Sequence, residues 1–216
     1  MSSEPEQSAI ELNLLEFEKK DYEVSRDEPE ITLERLRDLQ TLELEITGNL
    51  SETLTKLNET LNTSMVARPD GFHLTIISPP ESGTLSQLTS EQIKRLQQIN
   101  QDILQGKGVE LTGIGFIDGS NADNMRAADK AKKTSFLTFS IPALQELRNE
   151  IGLSEKDFHV TLGFEGGDIH MQEQVNAETG KKVVSAIRKL LNPTFSALVP
   201  DTVNFGGITG QERIKK

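Results

Sequence analysis

Apolar and polar residues alternate from Thr41 to Thr47, where Leu42, Leu44 and Ile46 interleave with Glu43 and Glu45. Period-two alternation of this kind is the mark of a half-buried strand. Two Leu-rich stretches read differently. Residues 32–39 form a short helix, and Leu54, Leu57 and Leu61 place a helical stripe on 51–61. Arg68-Pro69-Asp70-Gly71 is a turn, followed by a strand that stops at Pro79-Pro80. Thr89 with Gln92 fits a capping box, opening a helix that runs to about Leu104 and closes at Gly106. Strands follow at Val109–Ile117 and Ser135–Ile141, and Pro142 then opens a helix that ends near Gly152. A strand spans His159–Phe164, a helix interrupted near Gly180 is expected over Gln172–Leu191, and Ala197–Phe205 reads as the last strand. The fold class is α+β. The order of elements suggests two lobes related by a pseudo-repeat.

The N-terminal segment resists this treatment. Residues 1–8 are polar and acidic and read as disordered, while 9–30 mix apolar patches with dense charge. A strand, a short helix or a partner-binding arm all fit that stretch. The division expected is an acidic, partly disordered arm at 1–40 and a folded domain at 41–216.

Charge sharpens the division. The net charge is −11, yet residues 1–60 hold 16 Asp/Glu against 6 Lys/Arg, and residues 61–216 hold 18 against 17. A nearly neutral body argues against binding long nucleic acid, which needs many cations on phosphates. A short or terminal phosphate in a small pocket remains compatible. With no cysteine, disulfides, thiol nucleophiles and Cys-based zinc sites are excluded. No run of 18 apolar residues is present, so no membrane span is expected. The start MSSEPEQSAI lacks a secretory pattern, and the expected location is cytoplasmic.

The chemistry lies in a repeated pattern. Phe72-His73-Leu74-Thr75-Ile76 and Phe158-His159-Val160-Thr161-Leu162 both read aromatic-His-apolar-Thr-apolar, and they hold two of the chain's three histidines. Residues two apart on a strand share a face, roughly 6.5–7 Å apart. His73 therefore sits beside Thr75, and His159 beside Thr161, with Leu74, Ile76, Val160 and Leu162 turned into a core. Phe72 and Phe158 fall on the core side. Two strands of this kind can line two walls of a cleft. Imidazole exchanges protons near neutral pH and a hydroxyl can donate to a phosphate oxygen. Two imidazoles flanking a phosphorus suit general base and general acid catalysis of an in-line displacement.

The double motif, with its flanking runs HLTIISPPE (His73–Glu81) and KDFHVTLGF (Lys156–Phe164), resembles the two-histidine (2H) phosphoesterase superfamily. That group includes 2′,3′-cyclic phosphodiesterases, the so-called 2′-5′ RNA ligases and RNA-repair-like proteins. The resemblance covers the chain from about Leu44 onward, and the histidines stand 86 residues apart. It implies a two-lobed fold with antiparallel sheets lining a central cleft and helices outside. The activity implied is metal-independent, cofactor-free hydrolysis of a 2′,3′-cyclic phosphate or a related nucleotide or RNA-end phosphodiester by a monomer. His73 and His159 would be catalytic, and Thr75 and Thr161 would hold the phosphate. Alternative readings are a phosphodiesterase for cyclic (oligo)nucleotide signals, a phosphonucleotide or RNA-end binding module without turnover, and an adaptor acting through its acidic arm.

Further candidates are weaker. Arg68, Lys132 and Lys133 are cations that could orient a phosphate, as are Arg126 and Lys130. His170 is a loop histidine expected at the cleft rim or surface, and Tyr22, the only tyrosine, is a candidate lid over a nucleobase.

Overall fold

The period-two segments become strands and the Leu-striped segments become helices, mostly where the pattern puts them. The structure, a computed structural model, describes residues 31–121, 124–175 and 179–212. Tyr22 and the readings of 1–8 and 9–30 lie outside the described residues. The elements are α1 (Leu33–Asp38), β1 (Leu42–Gly48), α2 (Leu50–Leu61), β2 (Val66–Ala67), β3 (Phe72–Ile77), α3 (Ser90–Leu104), β4 (Glu110–Asp118), β5 (Lys133–Ser140), α4 (Pro142–Glu150), β6 (His159–Glu165), β7 (Met171–Val175), β8 (Lys182–Ala186) and β9 (Val203–Thr209). The capping box forms as expected: Gln92 N–H donates to Thr89 Oγ1 at 3.2 Å, and Thr89 N–H to Gln92 Oε1 at 2.9 Å.

The architecture is α+β. Seven antiparallel strands make one sheet in the order β4-β5-β6-β3-β1-β9, with β2 added beside β6. The motif strands β3 and β6 are therefore neighbours at the centre, joined at Leu74 opposite Val160. Two strand-helix-strand passages lead to that junction, β1-α2-β3 (with β2 between helix and strand) and β5-α4-β6. Where the spacing suggested two facing walls, the motifs lie side by side in a single sheet.

Register explains which face is core. Leu44 pairs with Leu74, Leu74 with Val160, and Val160 with Leu137, and all four are fully buried. They join Leu54, Leu57, Leu96, Leu144 and Leu147 from the helices in one apolar cluster. Side chains alternate faces along a strand, so the residues flanking that row emerge on the other side of the sheet.

Three segments differ from the sequence-based reading. Residues 172–191 do not form a kinked helix; β7 and β8 make a two-stranded hairpin. Val183 and Val184 favour a strand, Gly180 supplies the turn with φ +64°, and Ile187 N–H closes the base on His170 O at 3.0 Å. The last strand begins at Val203 rather than near Ala197, after a 3-10 turn over Pro193–Leu198 and Pro200, whose ring removes a ladder donor. Ile31, Leu36 and Leu39, read from the sequence as part of the arm, are buried in the core of the described residues. Among the described residues, no helix is long and apolar enough to cross a membrane.

Candidate functional site

Carried one residue to either side of the Leu74–Val160 pair, the antiparallel register sets His73 opposite Thr161 and Thr75 opposite His159. The outer strands extend both rows. Glu45 faces His73 and Phe136 faces Thr161; Glu43 faces Thr75 and Thr138 faces His159. The two histidines thus occupy one diagonal of a four-residue square and the two threonines the other. Diagonal Cβ atoms across antiparallel strands lie roughly 7–8 Å apart, enough to flank one phosphoryl group.

This square lies in a cavity of about 970 Å³ that is lined by all four residues. The β7–β8 hairpin and the chain after it form one wall, with Met171, Ala186, Ile187, Arg188 and Lys189. A second cavity of about 550 Å³ adjoins it and shares Gln145, Lys156, Asp157 and Lys189.

The two imidazoles are held differently. His159 Nδ1 lies 2.8 Å from Asp157 O. A carbonyl only accepts, so Nδ1 carries the hydrogen and the neutral ring keeps its lone pair on Nε2. Burial, and then the positive charge of Lys189, push the His159 pKa down from 6.5 to about 4. His159 is thus a neutral imidazole at physiological pH. His73 Nε2 stands 3.7 Å from Glu43 Oε1, an ion pair whenever that ring carries its second proton. Glu43 is only 6% exposed, although its place in an alternating strand reads as solvent-facing.

The threonines are also unequal. Thr75 Oγ1 has no hydrogen-bond partner among the described residues, and its hydroxyl is free to donate into the cavity. Thr161 Oγ1 donates to Asp168 Oδ2 at 2.9 Å. Asp168 also lies 3.4 Å from Lys189 Nζ and 3.6 Å from His170 Nε2. Burial works to raise the Asp168 pKa, but Lys189, His170 and the Thr161 hydroxyl outweigh it and hold the carboxyl below its usual value.

A buried ionic cluster ties the two motif strands together. Arg148 is 2% exposed; its Nη1 donates to Ile76 O of β3 at 2.6 Å, and its Nη2 to Ser154 O, on the approach to β6, at 2.8 Å. Nη2 also reaches Glu81 Oε1 at 2.7 Å, and Lys156 Nζ lies 3.4 Å from Glu81 Oε2. Burial pushes Glu81 up, but Arg148, the Ser78 hydroxyl and amide, and Lys156 bring it down to about 2.

Of the weaker candidates, Arg68 and His170 line the cavity, Arg68 in a two-pronged bond to Asp70. Lys132 and Lys133 do not line it. Lys132 donates to the buried Asp129 at 2.6 Å, a carboxylate shared with Arg126, and Lys133 sits 3.5 Å from Glu165. Sequence reasoning missed Glu43, Glu81, Arg148 and Lys189. One signal was available for Arg148: it sits on the apolar stripe of α4 with Leu144 and Leu147, where a charge needs a partner.

A family model described as Swiss Army Knife, 2H phosphoesterase domain (2H-SAK) matches residues 42–170. No curated protein and no solved structure matches the chain. The matched segment takes in both HxTx strands and ends at His170, short of the hairpin wall. Spanning more than half of the chain, it shows that this protein belongs to the 2H phosphoesterase family.

Proposed function

We propose that the protein is a metal-independent phosphodiesterase that hydrolyses a 2′,3′-cyclic phosphate or a related nucleotide or RNA-end phosphodiester. The observation that carries this reading is the asymmetry of the histidines. His159 is neutral, with Nδ1–H held by Asp157 O and a free lone pair on Nε2. His73 lies across the square with Nε2 3.7 Å from Glu43 Oε1, a carboxylate placed to pair with the ring whenever it carries a second proton.

In this mechanism His159 Nε2 takes a proton from water as the water oxygen attacks phosphorus. The phosphorus–oxygen bond to the ribose breaks on the opposite side, and that oxygen takes a proton from His73. Exchange with solvent then resets both rings. The free Thr75 hydroxyl donates to a nonbridging oxygen as charge builds there, the electrostatic part of catalysis. Thr161 can donate to phosphate only by releasing Asp168. The cavity suits a mononucleotide-sized ligand, and Arg68, Lys156 and Lys189 line it as cations.

The test is turnover of a panel of nucleoside 2′,3′-cyclic phosphates and cyclic dinucleotides by the pure protein, with chelator present throughout. Hydrolysis of the cyclic mononucleotides is expected. Exclusive turnover of cyclic dinucleotides would move the assignment to signal degradation. Binding without turnover would make the protein a sensor, and loss of activity restored by added zinc or manganese would overturn the metal-free mechanism.

A further inference from the structure

His159 is enclosed by groups of both signs. Lys189 approaches from the chain after β8, Asp168 from the loop after β6, and Lys156 and the Asp157 carbonyl from the segment before it. The Asp157 carboxylate turns away to Arg188, with Nε at 2.6 Å and Nη2 at 2.9 Å. From β5, Thr138 faces His159 and Phe136 packs against its ring, and from β3 the facing residue is Thr75, with His73 on the diagonal.

Lys189 stands out in this set. It is 4% exposed, and its ammonium donates to Ile169 O at 2.8 Å and lies 3.4 Å from Asp168 Oδ1. It also sits 4.8 Å from the centre of the Phe136 ring, which packs against the His159 ring in a T-shaped contact with 6.0 Å between centres. A buried cation thus stacks on one aromatic ring, and that ring packs against the imidazole. Both groups touch one buried ring, and away from water a charge acts more strongly on its neighbours. Lys189 lies outside the segment matched by the family model.

We propose that Lys189 is a positioning residue for the base: held by Asp168 and Ile169 against Phe136, its charge adds to burial in favouring the neutral His159 ring that accepts a proton. The C-terminal hairpin and the chain that follows it therefore complete the site electrostatically as well as sterically. This inference rests on His159 being the base, but its test needs no substrate, so it can fail independently of the proposed reaction.

The two charges beside His159 should act with opposite signs. Lys189→Met keeps the bulk and removes the cation, leaving Asp168 to favour the imidazolium. Asp168→Asn removes the anion and leaves Lys189 in place. Titration of the imidazole NMR signals in the full chain reads this directly, with His159 assigned by its loss in His159→Asn. The wild-type midpoint should lie near 4. In Lys189→Met it should rise by about one pH unit or more, a tenfold change in proton affinity. In Asp168→Asn it should stay low or fall, and in Lys189→Arg it should remain near wild type. A merely structural role would loosen the packing in either variant and move both midpoints upward. That pattern, or an unchanged midpoint in Lys189→Met, would overturn the proposal. Should Lys189→Met fail to fold in a thermal melt, Lys189→Gln and the Asp168→Asn arm give the same readings.

Discussion

Replacing His159 by Asn should change how the fold responds to acid. The ring is held neutral in the folded chain with a pKa near 4, against 6.5 when unfolded. Between those values the unfolded chain binds more protons, so stability rises with pH across the window and is lost on acidification. The wild type loses about 2 kcal/mol from this group alone between pH 7.5 and pH 5, and roughly 3 kcal/mol by pH 4. Asn cannot titrate, and its side-chain amide can still donate to Asp157 O. Urea melts of both proteins at pH 7.5 and pH 5 measure the difference. The wild type should lose about 2 kcal/mol relative to the variant on going to pH 5. Glu81 does not confuse the comparison, because its pKa of about 2 moves its own loss of stability below pH 4.5 and both proteins share it. If the stability gap between the two proteins were the same at both pH values, His159 would not be buried neutral, and its assignment as base would fall.

Three other outcomes follow from the site. Arg148→Met removes one of the Glu81 carboxylate's partners and the donors to two carbonyls, and should cost about 3 kcal/mol or more in urea melts; a loss under about 1 kcal/mol would show that the cluster does not tie the motif strands. Thr75→Val should weaken transition-state binding by roughly 1.5–3 kcal/mol in kcat/KM while Thr75→Ser loses much less; equal losses would mean that the hydroxyl is not the active part. Binding of a small phosphodiester should show a shallow salt dependence, with log K against log salt sloping at roughly −1 to −2, whereas a slope of about −5 or steeper on RNA would reveal an extended nucleic-acid surface.

The repeated motif was legible because strand period and residue chemistry coincide. His73 with Thr75, and His159 with Thr161, had to share a face once both segments were read as strands. That the two segments pair with each other could not be read, because β3 and β6 meet across 86 residues and at one register only. Glu43 shows the cost of that gap. In Leu42-Glu43-Leu44-Glu45 it reads as the solvent side of a strand, but the polar face of this sheet is the cavity floor, and Glu43 is buried beside His73. The segment carrying Lys189 was misread for a local reason: its charged residues and apolar spacing look helical. The hairpin depends on contacts made elsewhere, such as Glu173 N–H to Asn124 O at 2.7 Å, and local pattern does not report them.

The most direct test of the two-histidine mechanism is kcat/KM on a nucleoside 2′,3′-cyclic phosphate, with chelator present, for wild type, His73→Ala, His159→Ala and the double variant. Each single change should cost roughly 10²–10⁴-fold, the usual contribution of a general acid or base. The double variant should be little worse than the poorer single, because the two rings act as a unit. Substantial turnover in either single variant, or a double loss equal to the product of the two singles, would contradict the mechanism.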